Sequence, residues 1–279
     1  LPEVSPPSLE QPWNTVVAGV GGTGVLTVTA LIAMAAHIEG KGCATLNQTG
    51  LAQKFGAVVS HVRIAQDQDS IRAVRVPAGE ADLLIGCDLV VTTGYDTMGK
   101  TAAGRTTAIV NDAEQPTAGF LHDPDAKLPT ADMRAYVQSQ TGNDSTLFVD
   151  ASRIAEALLG DTLFVNLFLL GIAFQHGKVP VSAEALEAAI ALNGVAVEGN
   201  QQAFLLGRRY AVWPEKVLSM LPMSRTEDVE GNAVDFDLDA LIEDRASRLV
   251  DYQSSAFANR YRADVAAIRT ADAMAEQEG

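Results

Sequence analysis

Apolar and polar positions along the chain change period several times, and each change marks an element. Residues 14–20 form a β-branched run ending in glycine, and Val25 to His37 then repeat apolar residues at helical spacing, which predicts strand, turn and helix. Gly40-Lys41-Gly42 stops that helix. Residues 43–46 read as a second strand and 57–64 alternate as a third. The stretch 82–92 predicts a turn followed by a buried strand, and 107–111 and 146–150 predict two more strands. Strands alternating with helices call for an α/β fold built on an open, mostly parallel sheet covered on both faces.

From Ala151 the pattern becomes helical, with helices expected at 152–159, 162–175, 182–192 and 195–210. Ser182 is a credible N-cap with Glu184 in the first turn, and Asn193-Gly194 a credible stop. After Pro214 the pattern loosens, and 224–235 is polar and acidic. The tail from Leu238 to Ile268 is helical again and offers Leu241, Leu249, Tyr252, Phe257, Tyr261 and Val265 for a buried face. No partner for that face is evident in the sequence. The expected organisation is a linker over 1–13, an α/β domain with a helical C-terminal part over 14–222, a linker over 223–236, and over 237–279 the helical start of a following region. The opening Leu1-Pro2-Glu3-Val4-Ser5-Pro6-Pro7, without an initiator Met, reads as an interdomain linker, so a domain of a longer polypeptide is expected.

Of the 279 residues 47% are hydrophobic and 20% charged, enough to build a buried core. The net charge of -15, with no window that gathers Lys and Arg, argues against a nucleic-acid partner. Two cysteines, Cys43 and Cys87, cannot supply the four thiolates of an iron–sulfur cluster or a four-cysteine zinc site, and nothing suggests a disulfide framework. The longest apolar run, 163–174, is interrupted by Asn166 and falls short of the roughly 20 residues that span a bilayer. No signal-peptide pattern opens the chain, so a cytoplasmic location is the expectation.

The sharpest local signal is Gly19-Val20-Gly21-Gly22-Thr23-Gly24, a GxGxxG turn between a strand and a helix of the Rossmann-like kind. Glycines there permit a tight turn and close backbone approach, and a helix N-terminus offers unpaired N–H groups to an anion. A nicotinamide site would also place an acid at the end of the second strand, where Asn47 and Gln48 stand instead. An NAD-linked oxidoreductase therefore stays an alternative lacking its ribose-binding acid. Adenylating enzymes of the ubiquitin-activating type, which share a GxGGxG turn, lack the same acid here. A second cluster follows the second strand: Gln53, Lys54, Ser60, His61 and Arg63 among the glycines of 49–63, where open α/β sheets place ligands or partners. His61 has no triad or metal-spaced companion. Asn166, Asn193, Asn200 and Gln201 read as capping or interhelical hydrogen-bond donors, and no residue is read as catalytic or as a metal ligand.

Taken together, 17–25, 50–64 and 166–171 resemble the gamma-type domain of the 2-oxoacid:ferredoxin oxidoreductases, over roughly residues 14 to 212 and in matching order and spacing. Further support comes from 78–88, 192–198 and 203–209. Within the family the chain is most similar to the long fused indolepyruvate-oxidising members, and the tail from Tyr252-Gln253 to Tyr261-Arg262 is similar to the region that follows this domain there. Phe55 departs from the pattern, since members commonly carry a second glycine beside Gly56. The resemblance implies a part of an enzyme that oxidatively decarboxylates an aryl 2-oxoacid with coenzyme A and passes electrons through iron–sulfur clusters to ferredoxin. It implies that thiamine diphosphate, magnesium and the clusters are carried by other domains, with no cofactor held by this chain alone. Thiamine-diphosphate-binding domains of the same enzyme are then the partners, with ferredoxin reached through the complex, and an oligomer is expected. Gly19, Gly21, Gly22, Thr23, Gly24, Gln53, Lys54, Ser60 and Arg63 are the candidate contacts to coenzyme A phosphates or to a partner backbone. A non-catalytic interaction module with a vestigial glycine loop is the remaining alternative.

Overall fold

The computed structural model describes residues 1–49, 56–113, 129–222 and 237–278. Lys54, Gln53 and the linker expected over 223–236 lie outside them. The chain divides into two compact units, Leu1–Pro222 and Met223–Gly279.

The first unit is built on a six-stranded sheet of β1 (Trp13–Val20), β2 (Gly42–Thr49), β3 (Ala57–Ala65), β4 (Leu83–Gly86), β5 (Thr107–Asn111) and β6 (Thr146–Val149), in the order β2-β3-β1-β4-β5-β6. The sheet is mixed but mostly parallel: β1, β4, β5 and β6 pair in parallel, while β3 runs antiparallel to both β1 and β2. Period-two alternation along β1 sends Val16, Ala18 and Val20 to one face and Val17 to the other, so each face has its own core. On the Val17 face lie α1 (Val25–Ile38), α5 (Ala151–Leu159), α6 (Val165–Gln175), α7 (Ala183–Asn193) and α8 (Val197–Val212). The Val16 face is covered by α2 (Leu89–Thr92), α3 (Tyr95–Met98) and α4 (Thr130–Thr141). A short α9 (Pro214–Leu218) ends the unit.

Helix ends follow the local chemistry. The Ser182 side chain accepts from Ala185 N at 3.1 Å, and Gly194 closes α7 in the left-handed conformation. Asp150 likewise caps α5 by accepting from Arg153 N. The stretch 82–92 reverses the expected order, because the strand comes first and stops at Gly86. Asp88 then accepts from Val91 N at 2.8 Å and starts a helical turn, which folds Thr92 back over Gly86 where a side chain would collide. Residues 1–13, expected as a linker, lie against this unit: Val4 and Leu9 pack on its core, and Gln175 Nε2 donates to the Pro2 carbonyl.

The second unit is a helical hairpin of α10 (Leu238–Tyr252) and α11 (Ser255–Glu278). The break at Gln253 lets the two helices pack on each other, so each is partly the other's missing partner. No helix among the described residues is long and apolar enough to cross a membrane.

Candidate functional site at the glycine turn

The turn between β1 and α1 is held from three sides. Gly21 N donates to the Gly56 carbonyl at 2.7 Å, Thr23 Oγ1 donates to the Val20 carbonyl at 2.7 Å, and Asn166 Nδ2, reaching over from α6, donates to the Thr23 carbonyl at 2.5 Å. Each glycine has a separate reason. A Cβ on Gly19 would stand 2.7 Å from Val25 Cγ2 and 2.8 Å from the Cys87 side chain, and one on Gly21 would press on the Gly56 carbonyl. Gly22 and Gly24 have φ of 91° and 92°, a region that L side chains rarely enter. Gly22 alone faces open space.

That open space is a cleft of about 400 Å³ in front of α1. Its walls are Gly22, Thr23, Gly24 and Thr27 on one side, Asp161, Leu163, Phe164 and Asn166 at the start of α6, and Asn193, Val195, Ala196 and Asn200 where α7 passes into α8. The α7–α8 turn is as constrained as the glycine turn. Gly194 is left-handed, and Ala196 is a non-glycine residue at φ 43°. Such a conformation costs on the order of 1–3 kcal/mol unless its surroundings enforce it. Here Asn200 Nδ2 donates to the Val195 carbonyl at 2.9 Å and fixes the turn. Two asparagines on helices thus pin two left-handed turns across one cleft.

The charge of the cleft comes from the backbone of the glycine turn and from one carboxylate, Asp161, in its wall. The N-terminus of α1 carries no acid in its first turn, so its free N–H groups and the positive end of its dipole face the opening uncompensated. Asp161 is engaged locally, accepting from Leu163 N at 2.9 Å. Beneath the turn Asp88 is almost fully buried, and burial pushes its carboxyl up from the usual carboxylate range. Both thiols are also pushed up by burial, Cys43 to about 11, which makes them poor nucleophiles. Among the described residues no group of three or more His, Cys, Asp or Glu side chains is placed to hold a metal ion.

Gly19, Gly21, Gly22, Thr23 and Gly24 therefore lie together at this turn. Ser60 and Arg63 do not join them. Ala57 pairs with Val20 beside the turn, whereas Arg63 pairs with Asn14, six residues and about 20 Å farther along β3. Arg63 spends its guanidinium on Asn14 Oδ1 at 2.8 Å and the Ala73 carbonyl at 2.9 Å. Ser60 is fully buried at the middle of the sheet. The expected strand over 57–64 is β3, and because it runs antiparallel to β1 it carries Ser60 and Arg63 of the second cluster away from the turn. Conversely Asn166, Asn193 and Asn200, read from sequence as structural hydrogen-bonding groups, line the cleft; a polar residue inside the apolar run 163–174 was the available signal.

The glycine turn also differs in setting from a dinucleotide-binding unit, where the second strand lies parallel beside the first. Here β3 intervenes, and at the end of β2 Gln48 is bonded to His61. The fold is similar to that of the gamma subunit of the keto/oxoacid ferredoxin oxidoreductase from Geobacter sulfurreducens, which superposes with a TM-score of 0.51 at 23% identity over 72% of this chain and 98% of that one. The 2-oxoglutarate:ferredoxin oxidoreductase from Magnetococcus marinus, solved with 2-oxoglutarate, coenzyme A and succinyl-CoA bound, carries the same fold at a TM-score of 0.53 and 15% identity, over 73% of this chain and 31% of that longer one.

Sequence comparison adds the family. Residues 14–210 match the pyruvate ferredoxin/flavodoxin oxidoreductase family, and the chain belongs to it. It is 31% identical over 205 residues to the indolepyruvate oxidoreductase subunit IorB of Archaeoglobus fulgidus, covering 71% of this chain and 95% of that relative. The subunit of the same name from Pyrococcus horikoshii is 30% identical over 203 residues, 71% of this chain and 96% of the relative.

Proposed function

We propose that this chain is the gamma-type component of a 2-oxoacid ferredoxin oxidoreductase acting on indolepyruvate, and that its cleft receives the phosphate-bearing end of coenzyme A. Membership of the family over residues 14–210 carries the reading, and relatives described as indolepyruvate oxidoreductase subunits support the substrate.

The cleft fits coenzyme A in kind. The backbone N–H groups at the start of α1 and of Gly22 suit a phosphate, Asn193 and Asn200 suit the amides of a pantetheine arm, and Leu163, Phe164 and Val195 suit its methylenes. When bound, coenzyme A supplies the thiol that accepts the acyl group. This chain orients the cofactor's remote end and excludes water around it. Its two cysteines fall short of a four-cysteine cluster. We assign thiamine diphosphate, its magnesium ion and the electron-carrying clusters to partner domains, through which ferredoxin is reached.

The reading is tested by turnover. The purified chain alone, given indolepyruvate, coenzyme A, thiamine diphosphate and a viologen acceptor, is expected to show none. Assembled with its partner subunits it is expected to reduce the acceptor with indolepyruvate in preference to pyruvate or 2-oxoglutarate. Turnover by the chain alone would overturn the division of labour, and preference for a small 2-oxoacid would overturn the substrate.

A further inference from the structure

We propose that the groove between α10 and α11 is a docking site for an acidic amphipathic helix of a protein partner. The inference stands apart from the coenzyme A reading and rests on the second unit alone.

The groove has a volume of about 830 Å³ and is lined by Leu249, Phe257 and Tyr261, with Arg245 and Arg248 on α10 and Arg260 and Asp264 on α11. From residue 237 onward the sequence has five arginines and no lysine. Three of them are answered within the hairpin: Arg248 by Asp244 at 3.0 Å, Arg262 by Glu243 at 2.6 Å and Arg269 by Asp239 at 2.6 Å. Arg245 and Arg260, one on each helix of the groove, form no ion pair among the described residues, although the chain carries fifteen negative charges in excess. Unpaired guanidinium groups beside an apolar floor fit carboxylates carried by an apolar partner, because their planar forks take a carboxylate through two hydrogen bonds.

The hairpin also needs a cover. Among its described residues only Ala246 and Ala258 are buried, while Tyr252 is 80% and Ile268 68% exposed. Two small side chains give far too little core for a unit of this size to stand unaided. A partner helix laid along the groove would bury Leu249, Phe257 and Tyr261 and set carboxylates against the arginines, the helix-in-groove mode of recognition. A second copy fits less well, since it would bring three arginines and a single aspartate from each groove together, a poorer charge match than a helix flanked by carboxylates.

The test uses the full chain and a synthetic amphipathic helical peptide with leucines spaced i, i+4 and i+7 and glutamates on both flanks, beside the same peptide with lysines. Fluorescence anisotropy is expected to show binding of the acidic peptide only, weakened by salt and weakened about tenfold or more by Arg245→Ala with Arg260→Ala. Both arginines are exposed, so the variant should keep its helical circular dichroism. Phe257→Ser gives the apolar counterpart and should weaken binding as well. Equal binding of both peptides, indifference to the double substitution, or a concentration-dependent dimer lost in Phe257→Ser would overturn the proposal.

Discussion

His61 is fully buried in β3, with Nε2 2.9 Å from Gln48 Oε1 and Nδ1 accepting from Val76 N at 3.4 Å. That geometry fixes a neutral ring which donates through Nε2. Burial first, then the charges of Lys100 and Arg75, lower its pKa from 6.5 to about 4. An unfolded chain takes up a proton below pH 6.5 that the folded one refuses until about 4, so stability is intact above that window and falls as pH drops through it. Unfolding free energies from urea titrations at pH 7 and pH 5 should differ by a loss on the order of 1–3 kcal/mol that His61→Gln largely removes. An identical pH dependence in both proteins would show that another group dominates. At this scale the sequence was half legible. Glycines with a steric or left-handed requirement announce themselves by their spacing, as Gly19 to Gly24 did. Polar side chains do not say whether a sheet will absorb them, and His61, Ser60 and Arg63 were drawn into β3.

Among elements, the tightest contact is that of α6 with α8, where Gly171 and Gly207 face the opposite backbones. A Cβ on Gly207 would run into the Phe168 carbonyl oxygen, and one on Gly171 into that of Phe204. Helix propensity alone would make Gly207→Ala stabilising by about 1 kcal/mol. The close approach should win, since carbonyl oxygens cannot rotate aside, and thermal unfolding should show a net loss of about 1–3 kcal/mol. A melting temperature unchanged or raised would mean that the helices part freely. Most elements were readable from period and caps, including α7 with its Ser182 cap and Gly194 stop. The order within 82–92 was not, because Leu89-Val90-Val91-Thr92 is as β-branched as a buried strand, and only the reach of Asp88 to Val91 N makes it helical.

For the molecule as a whole, the sequence carried the mostly parallel sheet and the glycine turn, but could not carry strand order. The antiparallel insertion of β3 between β2 and β1 depends on pairing between segments far apart in the chain. It also decides the character of the site, since it removes the parallel second strand on which a dinucleotide site relies and leaves the turn facing the cleft between α1, α6 and α8. Thr27 offers the most direct check. It lines the cleft in the first turn of α1, where an added carboxylate should favour the helix but repel a phosphate. Calorimetric titration of coenzyme A into the assembled oxidoreductase, beside a Thr27→Glu version, is the measurement. Coenzyme A should bind, Thr27→Glu should weaken that binding by about tenfold or more with no fall in melting temperature, and NADH should give no response. Equal coenzyme A affinity in both proteins, or binding of NADH in its place, would contradict it.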